Sequence, residues 1–120
     1  ETRAILGKFQ GDAKLARRLA GMFLKDSGSM MDRIRRALAD SDAEALRIAA
    51  HTLKGSVGNF STTGAYQSAL EIENLARREE FFPATRAFQD LEAHMERLTG
   101  TLEALRGPRP AARPKRRNGS

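Results

Sequence analysis

A chain of 120 residues is long enough for one domain with one core. It has no cysteine, which excludes disulfides and thiolate metal sites, and no apolar run resembles a secretion signal or could cross a bilayer. The formal net charge of +6 invites a nucleic-acid reading, but the final stretch GPRPAARPKRRNGS holds Arg109, Arg113, Lys115, Arg116 and Arg117 with no acid, which leaves the rest of the chain near +1.

That stretch also carries three of the four prolines and little apolar content. Residues 107–120 are therefore expected to be a disordered basic tail on a domain spanning 1–106. A solvated extension is the main reading of the tail, and contact with nucleic acid the lesser one. The chain opens at Glu1 and not at a methionine, which suggests a piece of a longer protein. The expected setting is cytoplasmic.

No segment sustains period-two alternation, and helical spacing runs throughout. Ile5, Leu6 and Phe9 predict a short N-terminal helix. Gly11-Asp12 stops it, and Asp12 can cap the next. That next helix carries Leu15, Leu19, Met22, Phe23, Met30, Ile34 and Leu38 along one side, with Gly28 as a kink or weak point. SDAE at 41–44 fits a capping box, with Ser41 as the cap and Glu44 three residues on. The helix it starts presents Leu46, Ala49, Ala50, Leu53, Val57 and Phe60. STTG at 61–64 breaks and recaps the chain ahead of a helix bearing Ala65, Ala69, Ile72, Leu75 and Ala76. REEFFP makes a turn, with Pro83 suited to a first helical turn. The last helix has the stripe Phe88, Leu91, Met95, Leu98, Leu102 and Leu105, until Gly107-Pro108 ends it. Four amphipathic helices with short connections, preceded by one short helix, predict an all-α fold, an antiparallel up-down-up-down four-helix bundle.

A bundle implies no function by itself. The stretch AHTLKGSVGNF at 50–60 does, because it sets two glycines beside a histidine inside a helix, at roughly 1 kcal/mol each against alanine. With Leu46 set at zero and about 100° per residue, the apolar residues cluster within roughly 60° of that direction. His51 then lies at about 140°, Gly58 at about 120°, Gly55 at about 180°, Lys54 at about 80° and Ile48 at about 200°. The histidine points to solvent, Lys54 flanks it, and the glycines clear side chains from the surface around it. Ile48 is a candidate docking contact on the same exposed side. An imidazole is a competent nucleophile near neutral pH. Ser56, at roughly 280°, faces away and is not an obvious base.

The run His51, Thr52, Leu53, Lys54, Gly55, Ser56, followed by Gly58, resembles the active-helix motif of histidine phosphotransfer (HPt) domains of two-component phosphorelays. The likeness covers about residues 10–105 and leaves the tail outside. It implies the family's four-helix bundle, with His51 accepting a phosphoryl group from an aspartyl phosphate on a response-regulator receiver and passing it to another receiver aspartate. Lys54 and Gly55 match positions that support the phosphoryl group and permit approach. Some relatives place a glutamine at the position of Glu73. A carboxylate cannot donate to a phosphoryl group as an amide can, so Glu73 is left out of the expected site.

There is no Walker-type glycine loop, no nucleotide signature and no acidic metal cluster in the sequence. The domain is thus expected to carry no cofactor and no ATP site of its own. Any Mg²⁺ would sit on the receiver, since phosphoryl transfer depends chiefly on positioning and charge. Attachment to a hybrid sensor histidine kinase is the expected context, the cytoplasmic end of a membrane-anchored kinase being one form of it. The alternatives are a chemotaxis-kinase-type domain phosphorylated by a linked kinase, and a helical adaptor that has lost its chemistry or uses the basic tail on nucleic acid. His94 lies near a core edge with Glu92 and Glu96 close by, lacks a glycine or lysine frame, and reads as structural. No spacing joins it to His51 as a metal site.

Overall fold

Carboxylates start two of the long helices. The computed structural model describes residues 2–107, and the expectation for the basic tail lies outside the described residues. After a short helix α1 (Thr2–Lys8), Asp12 accepts from the Leu15 amide at 3.0 Å and opens α2 (Ala13–Ala39). Asp42 accepts from the Ala45 amide at 3.1 Å and opens α3 (Ala43–Val57). Two further helices follow, α4 (Ala65–Arg77) and α5 (Phe81–Arg106), the latter with Pro83 in its first turn. All five elements are helical, and there is no strand among the described residues.

The cap of α3 corrects the capping-box expectation. Ser41 has φ +49° and closes α2 instead, with its amide donating to Leu38 O at 3.1 Å and the Asp42 amide donating to Ala37 O at 3.0 Å. A residue turning the chain in the left-handed region cannot also serve as the extended cap, so Asp42 takes that role and Glu44 pairs with Arg47 at 2.7 Å. The same paired bonds close α1 around Gln10 (φ +55°) and α4 around Glu79 (φ +55°). None of these three residues is a glycine. A side chain in that conformation costs about 1 kcal/mol, which glycine avoids. Ser41→Gly is therefore expected to raise stability by about 0.5–1 kcal/mol, seen as a higher urea midpoint at unchanged slope.

The helices close on one another in a ring, α2 on α3, α3 on α4, α4 on α5 and α5 back on α2, with α1 laid against α2 and α5. Ile34, Leu46, Leu53, Ile72, Leu91 and Leu102 are fully buried at the centre, each contributing about 1.5–3 kcal/mol through burial. Around them the core is rich in alanine, including Ala16, Ala20, Ala50, Ala69 and Ala84. The expected stripes on α4 and α5 are the buried ones, apart from a half-buried Leu98. On α2 the buried face is rotated toward Ala16, Ala20 and Ala37, which leaves Leu15 exposed and Met22 57% exposed, against the expectation for both. The helix runs unbroken through Gly28.

Phe60 is buried as expected, but from a turn beyond the end of α3. Its ring packs edge-on to Phe23 at 5.5 Å and tilted to Phe9 at 6.0 Å, so it ties α1 and α2 to the loop that follows the histidine helix. No helix among the described residues is long and apolar enough to cross a membrane.

Candidate functional site

Position along α3 decides where the histidine stands. Leu46, Ala49, Ala50, Leu53 and Val57 take the core, and His51, between them in sequence, emerges on the outer side with 63% of its side chain exposed. Its neighbours on that side are Ile48, half exposed, and Gly55, where an added Cβ would meet nothing within 4 Å. The expected clearing around the ring is present at Gly55. Gly58 differs. It is half-buried at the C-cap of α3, and a Cβ there would lie 3.3 Å from both the Tyr66 ring and the Lys54 carbonyl oxygen. Its smallness lets α3 close against the start of α4.

The ring does not stand alone. Nδ1 of His51 lies 3.0 Å from Oε2 of Glu73, a residue of α4 that is almost wholly buried. Lys54 Nζ sits 2.9 Å from the other carboxylate oxygen, Oε1, close enough for an ion pair though not aligned as a hydrogen bond. Arg77, one turn further along α4, donates to Oε2 at 3.0 Å. Only 17% of the Lys54 side chain is exposed, and its charge is paired with Glu73 beneath the histidine's side of the helix.

Burial is the largest single influence on Glu73 and pushes its pKa up. The contacts from Lys54, Arg77 and His51 together outweigh it, and the carboxyl is held below the usual carboxylate range. Glu73 is thus an anion near neutral pH. An ionised carboxylate only accepts hydrogen bonds, so the shared hydrogen belongs to His51 Nδ1. In the neutral ring the lone pair then sits on Nε2, the nitrogen left to solvent. The arrangement fixes ring orientation and tautomer together, as a buried carboxylate does for a histidine base in hydrolases.

Glu73 is the member that sequence reasoning left out. The available signal was a carboxylate on the shoulder of the apolar arc of Ala69, Ile72 and Ala76, where burial without a partner would be costly. The other histidine, His94, is elsewhere. Its Nδ1 accepts from Arg97 at 2.8 Å, and its ring abuts the backbone at Gly64. Ile48, His51, Lys54 and Gly55 are thus brought to one surface, with Gly58 at its edge.

The described residues form a helical scaffold that holds out one oriented, mostly exposed imidazole. The family model described as Hpt domain matches residues 18–107, and the chain belongs to that family, whose members serve histidine phosphotransfer in phosphorelays with response-regulator receivers as partners. Comparison with curated proteins gave no match, and comparison with solved structures gave none either.

Proposed function

We propose that this domain is a phosphocarrier in which His51 takes a phosphoryl group from a receiver aspartyl phosphate and passes it to a second receiver aspartate. The observation that carries the reading is the 63% exposed ring whose Nδ1 is anchored by Glu73. The Nε2 lone pair attacks phosphorus, the N–P bond forms, and the P–O bond to the aspartate breaks as the carboxylate leaves with its electron pair. No proton has to leave Nε2, because the neutral ring carries its hydrogen on Nδ1. The product ring is positively charged, and Glu73 faces that charge. Return of the phosphoryl group reverses these steps.

The short connections between helices support an antiparallel up-down-up-down bundle, with α3 as the helix that meets the receiver. Ile48 offers that partner an apolar contact, and Gly55 leaves room for the rim of its acidic pocket. Lys54 holds Glu73 in place and adds positive charge near the phosphoryl group. Gly58 lets the end of α3 lie flat beside Tyr66. Incubation with a phosphorylated receiver is expected to label this chain with an acid-labile, alkali-stable phosphate, as a phosphohistidine requires. Acid-stable label would identify a hydroxyl acceptor and end the proposal.

Gly55 separates chemistry from docking. Gly55→Leu is expected to fold at least as well as the parent, because leucine is the better helix residue by up to about 1 kcal/mol and nothing obstructs its Cβ. Transfer from a receiver should fall by about tenfold or more, a cost of about 1.4 kcal/mol in the approach. Phosphorylation by the small donor phosphoramidate should hold within about twofold, since so small a reagent needs no clearing. Equal rates with the receiver would refute the role given to Gly55.

A further inference from the structure

We propose that Arg33 and Arg36 on α2 are specificity-determining residues, which select receivers that carry carboxylates on the docking face. This deepens the reading of His51 as the phosphoryl acceptor and rests on it for where the receiver sits. A groove of about 340 Å³ runs between α2 and α3. Alanines of both helices floor it, Ile48 and Thr52 line its α3 side, and Arg33 and Arg36 line its α2 side. Ile48 lies three residues before His51 on the same helix, which puts their Cβ atoms about 5–6 Å apart. The groove therefore borders the surface on which the ring stands. A standard protein interface covers about 800 Å² of each partner, a disc about 16 Å in radius. A receiver centred on His51 reaches across the groove to α2.

The cations closest to His51 in the fold are already matched. Lys54 and Arg77 pair with Glu73, and Arg47 pairs with Glu44, each within 3.0 Å. Arg35, the residue between the two arginines of the groove on its side of the sequence, pairs with Asp32 and Glu92. Arg33 and Arg36 are exposed, and neither has an ion-pair partner among the described residues. Two carboxylates, Asp40 and Asp42, also line the groove, at its end beside the turn from α2 to α3. Asp42 is engaged there as the cap of α3, accepting from the Ala45 amide at 3.1 Å. Arg33 lies seven residues before Asp40, about 10 Å of helix rise from the turn, and His51 lies nine residues beyond Asp42, about 13 Å. Arg33 thus stands near the level of the ring, with Arg36 between it and the turn.

This arrangement states the chemistry of the partner. An apolar side chain meets Ile48, and carboxylates beside it meet the two guanidinium groups. Arginine suits that role, because its planar fork can hold a carboxylate through two hydrogen bonds. A receiver with lysines or arginines in the same place would bring like charges together. Charges at the rim of an interface act on encounter rate and on rejection of wrong partners. A carrier that must serve particular receivers needs both.

The test uses two purified receivers, one with acidic and one with basic side chains on the face around its phosphoacceptor aspartate. Each is tried against the parent, a neutral Arg33→Gln/Arg36→Gln chain and a charge-reversed Arg33→Glu/Arg36→Glu chain. Calorimetry reads the affinity for the unphosphorylated receivers at about 50 and about 500 mM NaCl. Labelling from the phosphorylated receivers gives kcat/KM. At low salt the parent should bind and accept from the acidic receiver about tenfold better than from the basic one, and the preference should shrink at high salt. The neutral chain should lose the preference and the charge-reversed chain should invert it. Labelling by phosphoramidate should stay within about twofold in all three. A preference that survives in both variants, a parent that binds both receivers equally or neither, or a rate lost equally with phosphoramidate overturns the proposal. The two readings fail separately. A labelled His51 with an unaltered preference sinks only the role of the arginines. A chain that takes no label, but whose receiver binding follows the charge, sinks the phosphocarrier and leaves Arg33 and Arg36 as determinants of docking.

Discussion

His51→Gln is expected to fold as the parent does and to take no label from a phosphorylated receiver. The fold should survive because the side chain is mostly exposed, and Glu73 keeps Lys54 and Arg77 when the ring is gone. Surface changes of this kind cost within about 0.5 kcal/mol. The chemistry should not survive, since the nitrogen lone pair of glutamine is delocalised into its carbonyl and does not attack phosphorus. His94→Gln supplies the control and should label fully, because His94 is engaged with Arg97 and lies against Gly64. Label on the His51→Gln chain, counted after alkali treatment on a gel, would remove the basis of the proposed function.

The second large effect is expected at Glu73. An amide of nearly the same shape keeps the packing in Glu73→Gln, but it can turn its NH2 toward His51 Nδ1. That contact calls for an accepting Nδ1 and moves the ring hydrogen to Nε2, the nitrogen that must attack. Labelling by phosphoramidate is expected to slow by roughly a hundredfold. This falls short of the ~10⁴ seen when a hydrolase triad loses its carboxylate, because no proton is relayed in the step here. Parent-like rates in a folded Glu73→Gln chain would show that the tautomer is set elsewhere.

The same substitution should flatten the acid side of the stability curve. A carboxyl whose pKa is lowered by folding stabilises the native state above its unfolded value, near 4.5, and that stability is lost as pH falls through the lower folded value. The parent should therefore lose stability as the pH drops below about 4.5, and Glu73→Gln should lose less over that window. Urea midpoints at pH 3, 4, 5 and 7 measure both.

Helix content and the outward turn of His51 were legible because both follow from period. Leu46, Leu53 and Val57 mark the inner side of α3, and about 140° of rotation carries His51 off it. Three features were not legible, each for a physical reason. Ser41 looked like a cap because the usual sign of a left-handed helix stop is glycine, and here serine adopts that conformation. Leu15 and Met22 looked buried because an apolar stripe is weighted by its large members, whereas Ala16 and Ala20 lie inward. Glu73 was passed over because its partners come from the facing helix as well as its own, and pairing across helices leaves no mark in the spacing of either. The glycines told the same story in part. Gly55 opens onto solvent, while Gly58 serves the contact with Tyr66, and the sequence places both on one side without telling them apart.

The nucleophile and the carboxylate that orients it come from different helices, and this ties signalling to mechanical integrity. Separation of α4 from α3 by a few ångströms would free the ring to spin and to exchange its hydrogen between nitrogens, long before the chain as a whole came apart. Such a loosened molecule would be a poor recipient of phosphate even with every residue intact. On the proposed function, the seam between the two helices would let only a properly assembled copy take up and pass on phosphate.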